Sequence, residues 1–177
     1  MSLDLIVREY IDKFHKDKDE MHNTNHIDRL RFTARELCRK IGIPINDINY
    51  ALFFHGLTEK QKSDLGKFLV SYGFEKSRIE RLIYLEQFTK KELIPSSDPE
   101  KLIHDTHVLE GGPYFSIIKS LVTGSLQSQP FNDTIDFFDT KILDGLKCYF
   151  PFTQRLLAEH IKTSKEVLEN LRKNLPI

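Results

Sequence analysis

Ala51-Leu52-Phe53-Phe54-His55-Gly56-Leu57 sets four apolar side chains in a row before an imidazole and a glycine. Asn46 or Asp47 upstream can cap a helix start, and Gly56, directly after the run, can supply a left-handed C-cap at little strain. The stretch therefore predicts a short, very apolar helix over about 48–55 that delivers His55 at its end. Upstream, Leu3, Ile6, Val7, Tyr10 and Phe14 recur at helical spacing and run into the charged stretch Lys16-Asp17-Lys18-Asp19-Glu20, which reads as a solvated surface with His15 also facing solvent. Thr24 or Asn25 caps a second helix, traced by Ile27, Leu30, Ala34, Leu37, Cys38 and Ile41 and stopped by Gly42 and Pro44.

Downstream, Thr58 and Gln61 have the spacing of a capping box, and Leu65, Phe68, Leu69 and Tyr72 lead to a terminating Gly73. Ile79, Leu82, Ile83, Glu86 and Phe88 continue the helical period. Asp98 followed by Pro99 starts a helix through about residue 110 that carries Asp105. Tyr114 to Val122 form another, followed by a loop over 125–130. Two longer helices close the chain: Ile135, Phe138, Ile142, Leu143 and Leu146 trace one, and Leu156, Leu157, Ile161, Val167, Leu168 and Leu171 the other, with a break at Phe150-Pro151-Phe152. No stretch alternates like a strand. The expectation is an all-α single domain over 1–177, with about eight or nine helices and residues 1–20 as its N-terminal helix.

The 26 basic and 26 acidic side chains cancel, so no global field draws the chain toward a nucleic-acid polymer or an anionic membrane. Cys38 and Cys148, each in an apolar helical pattern, make neither a disulfide scaffold nor a cysteine zinc site, which fits a reducing cytoplasm. Charged residues interrupt the first apolar stretch, and no long uncharged run follows, so neither a signal peptide nor a membrane span is expected.

His26 opens the second helix, His55 closes the third, and Asp105 lies on the helix after Asp98. Two imidazoles and one carboxylate from three separate elements suit a divalent transition metal such as manganese, iron, nickel, cobalt or zinc. Leu102, Ile103 and Leu109 around Asp105 suggest partial burial, and a buried carboxylate needs a partner. His160 lies on an apolar stripe and reads as a core histidine with a satisfied hydrogen bond.

The blocks His22-Asn-Thr-Asn-His26-Ile-Asp-Arg29-Leu30, Ala51 to Leu57, Ser97 to Glu110 and Phe137-Phe138-Asp-Thr-Lys141-Ile142-Leu143 together resemble the HD-domain superfamily. More narrowly, they resemble its bacterial YedJ-like phosphohydrolases, and the likeness covers about residues 20–172. The resemblance implies an all-α helical bundle with metal ligands at His26, His55, the residue after it, and Asp105. It also implies hydrolysis of a nucleotide or another small phosphorylated molecule, with water activated by the metal attacking phosphorus. Arg29 matches the family's arginine and would pair with a phosphate, with His22 as a second substrate-side candidate. Glu59 stands at a family acidic position and is the candidate general base.

The chain also departs from that pattern. Gly56 replaces the aspartate of the His-Asp pair, Asn23 an acid of the opening motif, and His107 and Glu110 two acids of the late motif. One carboxylate with two neutral imidazoles leaves a divalent ion with a formal charge of plus one, where two aspartates would give zero. His104 or His107 could supply nitrogen in compensation, shifting the metal preference toward softer ions. Two further readings stand beside the hydrolase: an inactive HD-fold protein that binds a nucleotide or anion, and an unrelated helical interaction module.

Overall fold

The computed structural model describes residues 1–19, 21–90 and 92–174. Among them every regular element is helical: α1 (Leu3–His15), α2 (Thr24–Ile41), α3 (Asn46–Ala51), α4 (Glu59–Ser71), α5 (Lys76–Glu86), α6 (Asp98–Val108), α7 (Gly112–Leu126), α8 (Phe131–Phe137) and α9 (Pro151–Asn174). Among the described residues the all-α class and the helix number are as expected. No helix among the described residues is long and apolar enough to cross a membrane. The elements group into two compact units, Met1–His107 and Val108–Ile177.

In the first unit, α1 lies against α2 and α4, and α5 against α3 and α4. Asp4 on α1 accepts from Arg31 of α2 at 2.5 Å and from Asn49 of α3 at 2.9 Å, and Arg31 Nε donates back to Asn49 at 2.9 Å. The Arg31 guanidinium also covers the Phe53 ring, 4.0 Å from its centroid. One buried arginine thus ties α1, α2 and α3 to the segment that carries His55. Phe53 and Phe54 are fully buried, each contributing roughly 1.5–3 kcal/mol by burial. Thr58 and Gln61 form the expected capping box on α4. Glu100 adds a reciprocal cap at the start of α6, accepting from the backbone of Ser96 at 2.7 Å and of Ser97 at 3.1 Å.

Three local expectations are corrected. Asn23, not Thr24 or Asn25, caps α2, its side chain accepting from Asn25 N at 2.9 Å. The apolar run after α3 tightens into a 3-10 turn over Leu52–Phe54, so His55 leaves the helix with extended backbone. His15 is buried at 1% exposure rather than solvent-facing, because the inward stripe of α1 runs through Val7, Ile11 and His15 at four-residue spacing. Its Nδ1 lies 3.1 Å from the Ile11 carbonyl.

In the second unit, α7 packs on α8 and α9 around Ile117, Ile135, Phe138, Leu143 and Leu168. The single helix expected over Ile135 to Leu146 is instead α8, a π-turn over Phe138–Ile142 and a 3-10 turn over Leu143–Gly145. The π-turn absorbs one extra residue per turn, so the apolar spacing survives while the helix does not. His160 is the buried core histidine expected, with Ser116 Oγ 2.8 Å from its Nε2, while its buried Nδ1 has no hydrogen-bond partner among the described residues. Cys38 and Cys148 are buried and in no disulfide, and burial pushes the Cys38 thiol up to about 11.

Candidate metal centre

His55 is the best-determined member of the site. Thr89 Oγ1 donates its proton to the Glu86 carbonyl at 2.9 Å, so it can only accept from His55 Nδ1, 3.1 Å away. The Glu86 carboxylate, 3.5 Å from the same nitrogen, is also an acceptor. The proton therefore sits on Nδ1 and the lone pair on Nε2, the arrangement in which a carboxylate orients a ligating histidine. Glu86 is itself buried. Burial alone would raise its pKa, but hydrogen bonds from His55 and Lys62 outweigh that and hold it below the usual carboxylate range. Lys62 Nζ reaches Glu86 Oε2 at 2.7 Å.

Three imidazoles converge here. The ring centroids of His26 and His55 are 5.1 Å apart, those of His55 and His107 5.1 Å, and those of His26 and His107 6.2 Å. One nitrogen from each lies within 4.8 Å of the other two. Two imidazole nitrogens bound to one ion at about 2.1 Å stand at most about 4.2 Å apart, so side-chain adjustments of roughly half an ångström bring this set onto a common centre. The donors fit a divalent transition metal, and three nitrogens favour zinc, cobalt or nickel over a hard ion.

The structure thus brings together His26 and His55 and adds His107, while His104 is not in the gathered set among the described residues. Asp105 is buried with 0% exposure, its Oδ1 3.4 Å from His104 Nδ1, and its carboxylate is not among the atoms gathered in the cluster. His22 stays near, its ring 6.1 Å from that of His26, with Nδ1 held by Asp19 at 2.8 Å. Arg29, one turn along α2 from His26, is partly buried and donates to the Met21 carbonyl at 3.3 Å. Glu59 has a side chain 90% exposed and 3.6 Å from Lys62, so the general-base expectation finds no geometric support. Glu86 is a carboxylate that meets a cluster histidine, His55. Sequence reading passed over it because it looked like one more position of an amphipathic helix; its only signal was an acid falling on the apolar stripe of Leu82 and Ile79.

Gly56 takes the left-handed conformation with φ +71°, as a C-cap glycine should. The space beside it is not empty. Lys18 Nζ donates to the Gly56 carbonyl at 2.7 Å, and a Cβ at residue 56 would stand 3.0 Å from that nitrogen and 4.0 Å from His15 Nε2. Lys18 is therefore half-buried, not fully solvated as its charged neighbourhood suggested, although Lys16 and Asp17 are exposed. Burial pushes its pKa down.

No family model and no curated relative matches this sequence. Solved structures do. Bacillus subtilis YpgQ in complex with ADP is 16% identical, with 98% of each chain covered and a TM-score of 0.79. YpgQ alone is also 16% identical, over 99% of this chain and 98% of that one, with a TM-score of 0.77. An HD-superfamily hydrolase from Bacillus thuringiensis is 14% identical over 96% of this chain and 95% of its own, with a TM-score of 0.76. The chain shares the backbone fold of these structures. At such identities the likeness reaches the backbone and not the chemistry, so the site rests on its own residues.

Proposed function

We propose that this protein is a metal-dependent phosphohydrolase of the HD type, acting on a nucleotide or another small phosphorylated molecule. The observation that carries this reading is the His26, His55 and His107 cluster, with the tautomer of His55 set by Thr89 and Glu86. In this assignment His107 takes the ligand role expected of Asp105, which remains a buried negative charge on the same helix. A divalent metal bound there supplies Lewis acidity toward a phosphoryl oxygen. Arg29, one turn along α2 from His26, and His22, just before α2 with its ring 6.1 Å from that of His26, offer donors to that phosphate. The nucleotide preference is supported by the ADP bound to the B. subtilis neighbour. The YedJ-like assignment rests on the four sequence blocks, and a cytoplasmic location on the two free thiols.

A second reading has its own observation. Lys18 beside Gly56 puts a cation where the family pattern puts an aspartate, which suits a protein that holds an anionic ligand without turning it over. Elemental analysis of untagged protein, purified without chelators and compared with His55→Ala, tests the first reading. About one equivalent of zinc, cobalt, nickel, iron or manganese that is lost in the variant, together with metal-dependent release of phosphate or pyrophosphate from a nucleotide panel, is the expected result. Metal without turnover selects the binding reading. Absence of metal after incubation with each ion overturns the metal centre.

A further inference from the structure

α7 is apolar on two sides. Ile117 and Leu121 pack into the core shared with α8 and α9, and Gly124 meets Thr134 of α8. On another side Tyr114, Ile118, Val122 and Leu126 recur at four-residue spacing. Tyr114 is 63% exposed, Ile118 52% and Leu126 63%, with Val122 half-buried between them. A surface helix normally turns polar side chains to water, and this one does not. Its one charged residue is Lys119, whose ammonium is spent on Glu110 at 3.1 Å. Ser125, beside the stripe, can return its hydroxyl to a carbonyl one turn back. Covering the stripe therefore strands no charge.

Area and symmetry say what covers it. At about 200 Å² for a side chain of this size, the exposed parts of Tyr114, Ile118 and Leu126 amount to roughly 350 Å² of apolar surface. Interfaces are about 55–65% apolar, so the stripe suits a contact burying roughly 600 Å² on each chain. Two such faces give about 1,200 Å², the lower end for a specific pair of proteins. The stripe is also its own complement. Residues four apart form the ridges that interlock when two helices cross at about −50°. Under a twofold axis between Ile118 and Val122, Tyr114 of one copy meets Leu126 of the other and Ile118 meets Val122, each contact occurring twice. The 26 basic and 26 acidic side chains leave no net charge to drive copies apart. A lipid surface fits less well, since interfacial helices flank their apolar face with free cations and the one cation of α7 is paired. We propose that the Tyr114, Ile118, Val122 and Leu126 face of α7 docks a second copy of this chain, forming a twofold dimer through crossed α7 helices.

The test is sedimentation equilibrium of the full-length protein up to about 200 μM, because specific interfaces dissociate at micromolar concentrations or below. Twice the chain mass at the upper end is the expected result. Ile118→Glu sets a carboxylate against Val122 in both halves of the contact and should raise the dissociation constant at least about a hundredfold. Leu126→Ser should raise it by about tenfold, and Ile118→Leu should leave it within about threefold. Phe32→Glu, at a position 68% exposed but on α2, should leave it unchanged. Circular dichroism melts check that each variant stays folded, and Leu126→Ser carries the test if Ile118→Glu does not. Single-chain mass at every concentration overturns the proposal; retention on phosphatidylcholine vesicles that Ile118→Glu abolishes would then give the face to lipid. A dimer that survives both Ile118→Glu and Leu126→Ser is built on another face and overturns it equally. So does a dimer that Phe32→Glu dissociates as strongly as Ile118→Glu.

Discussion

Glu86 is shared between His55 and Lys62: one carboxylate oxygen lies 3.5 Å from His55 Nδ1 and the other accepts from Lys62 at 2.7 Å. The carboxylate therefore has a structural task and a site task, which two substitutions separate. Glu86→Gln leaves buried Lys62 with the exposed Glu59 carboxylate at 3.6 Å as its counter-charge, and breaking the buried pair costs up to about 3–5 kcal/mol, read by urea denaturation. It should also weaken metal binding by about 10–100-fold, the effect of losing a histidine-orienting carboxylate. The double variant Glu86→Gln with Lys62→Met should recover most of the stability and none of the metal affinity. Recovery of both would mean that Glu86 matters to His55 only through folding.

His104 and His107 sit three residues apart on α6, and only the second is gathered with His26 and His55. His107→Asn should lower the affinity for zinc or cobalt by about a hundredfold while the protein stays folded. His104→Asn should leave that affinity within about threefold and act on stability, because this imidazole is buried against Asp105. Cobalt absorption spectra would separate the two, since loss of one nitrogen donor changes the ligand field and loss of a buried neighbour does not.

The fold was legible because its signals are local. Apolar spacing, the Thr58–Gln61 box, the stop at Gly42 and the start at Asp98 each depend on residues within one or two turns. His26 and His55 were legible through motif order. Glu86, His107 and Lys18 were not, since each depends on how one helix is rotated or how far a long side chain reaches. A hydrophobic period fixes the buried face of a helix, but not which of two polar residues at its border turns inward. Lys18 misled for the same reason: inside a run of charges it looks solvated, and only packing of the chain after α1 against residue 56 shows otherwise.

Glu100 gives an acid limb to the stability. Burial pulls its pKa up, but the backbone and hydroxyl groups of Ser96 and Ser97 outweigh it and hold the carboxyl down to about 2. The folded state thus binds this proton less readily than the unfolded chain, whose value is near 4.5. The stabilisation is complete above about pH 4.5, declines as the pH falls, and is gone below about pH 2. Urea midpoints of wild type and Glu100→Gln between pH 2.5 and 6 should differ by a constant above pH 5 and converge below it. A gap that persists unchanged at pH 2.5 would assign the effect to shape rather than charge.

In the second unit, Gly124 meets Thr134 so closely that a Cβ on the glycine would lie 2.3 Å from its hydroxyl oxygen and 2.7 Å from its methyl carbon. Thr134 is buried and donates to the Pro130 carbonyl at 3.1 Å, so it cannot easily yield. Gly124→Ala, normally favourable inside a helix, should therefore destabilise by about 1–3 kcal/mol through overpacking. Combining it with Thr134→Ala should recover part of the loss. A thermal melt showing Gly124→Ala unchanged or more stable would mean that α7 and α8 part without cost.

Restoring the family's aspartate is the obvious repair, and the structure says that alone it fails. Residue 56 has φ +71°, where any side chain costs about 1 kcal/mol, somewhat less for aspartate than for most. More important, the Cβ of the new aspartate would stand 3.0 Å from Lys18 Nζ, so the carboxylate it carries would pair with that ammonium instead of a metal. Gly56→Asp should thus leave zinc or cobalt affinity within about threefold of wild type, because an ion pair formed in a partly buried site competes with coordination. Removing the competitor as well, in Gly56→Asp with Lys18→Ala, should free the carboxylate and tighten metal binding by tenfold or more. The single substitution Lys18→Ala separates the contributions, since it removes charge repulsion without adding a ligand and should gain less than the double variant. If Gly56→Asp alone tightens metal binding as strongly as the pair does, Lys18 is mobile enough to vacate the position, and its claim to the aspartate's place fails.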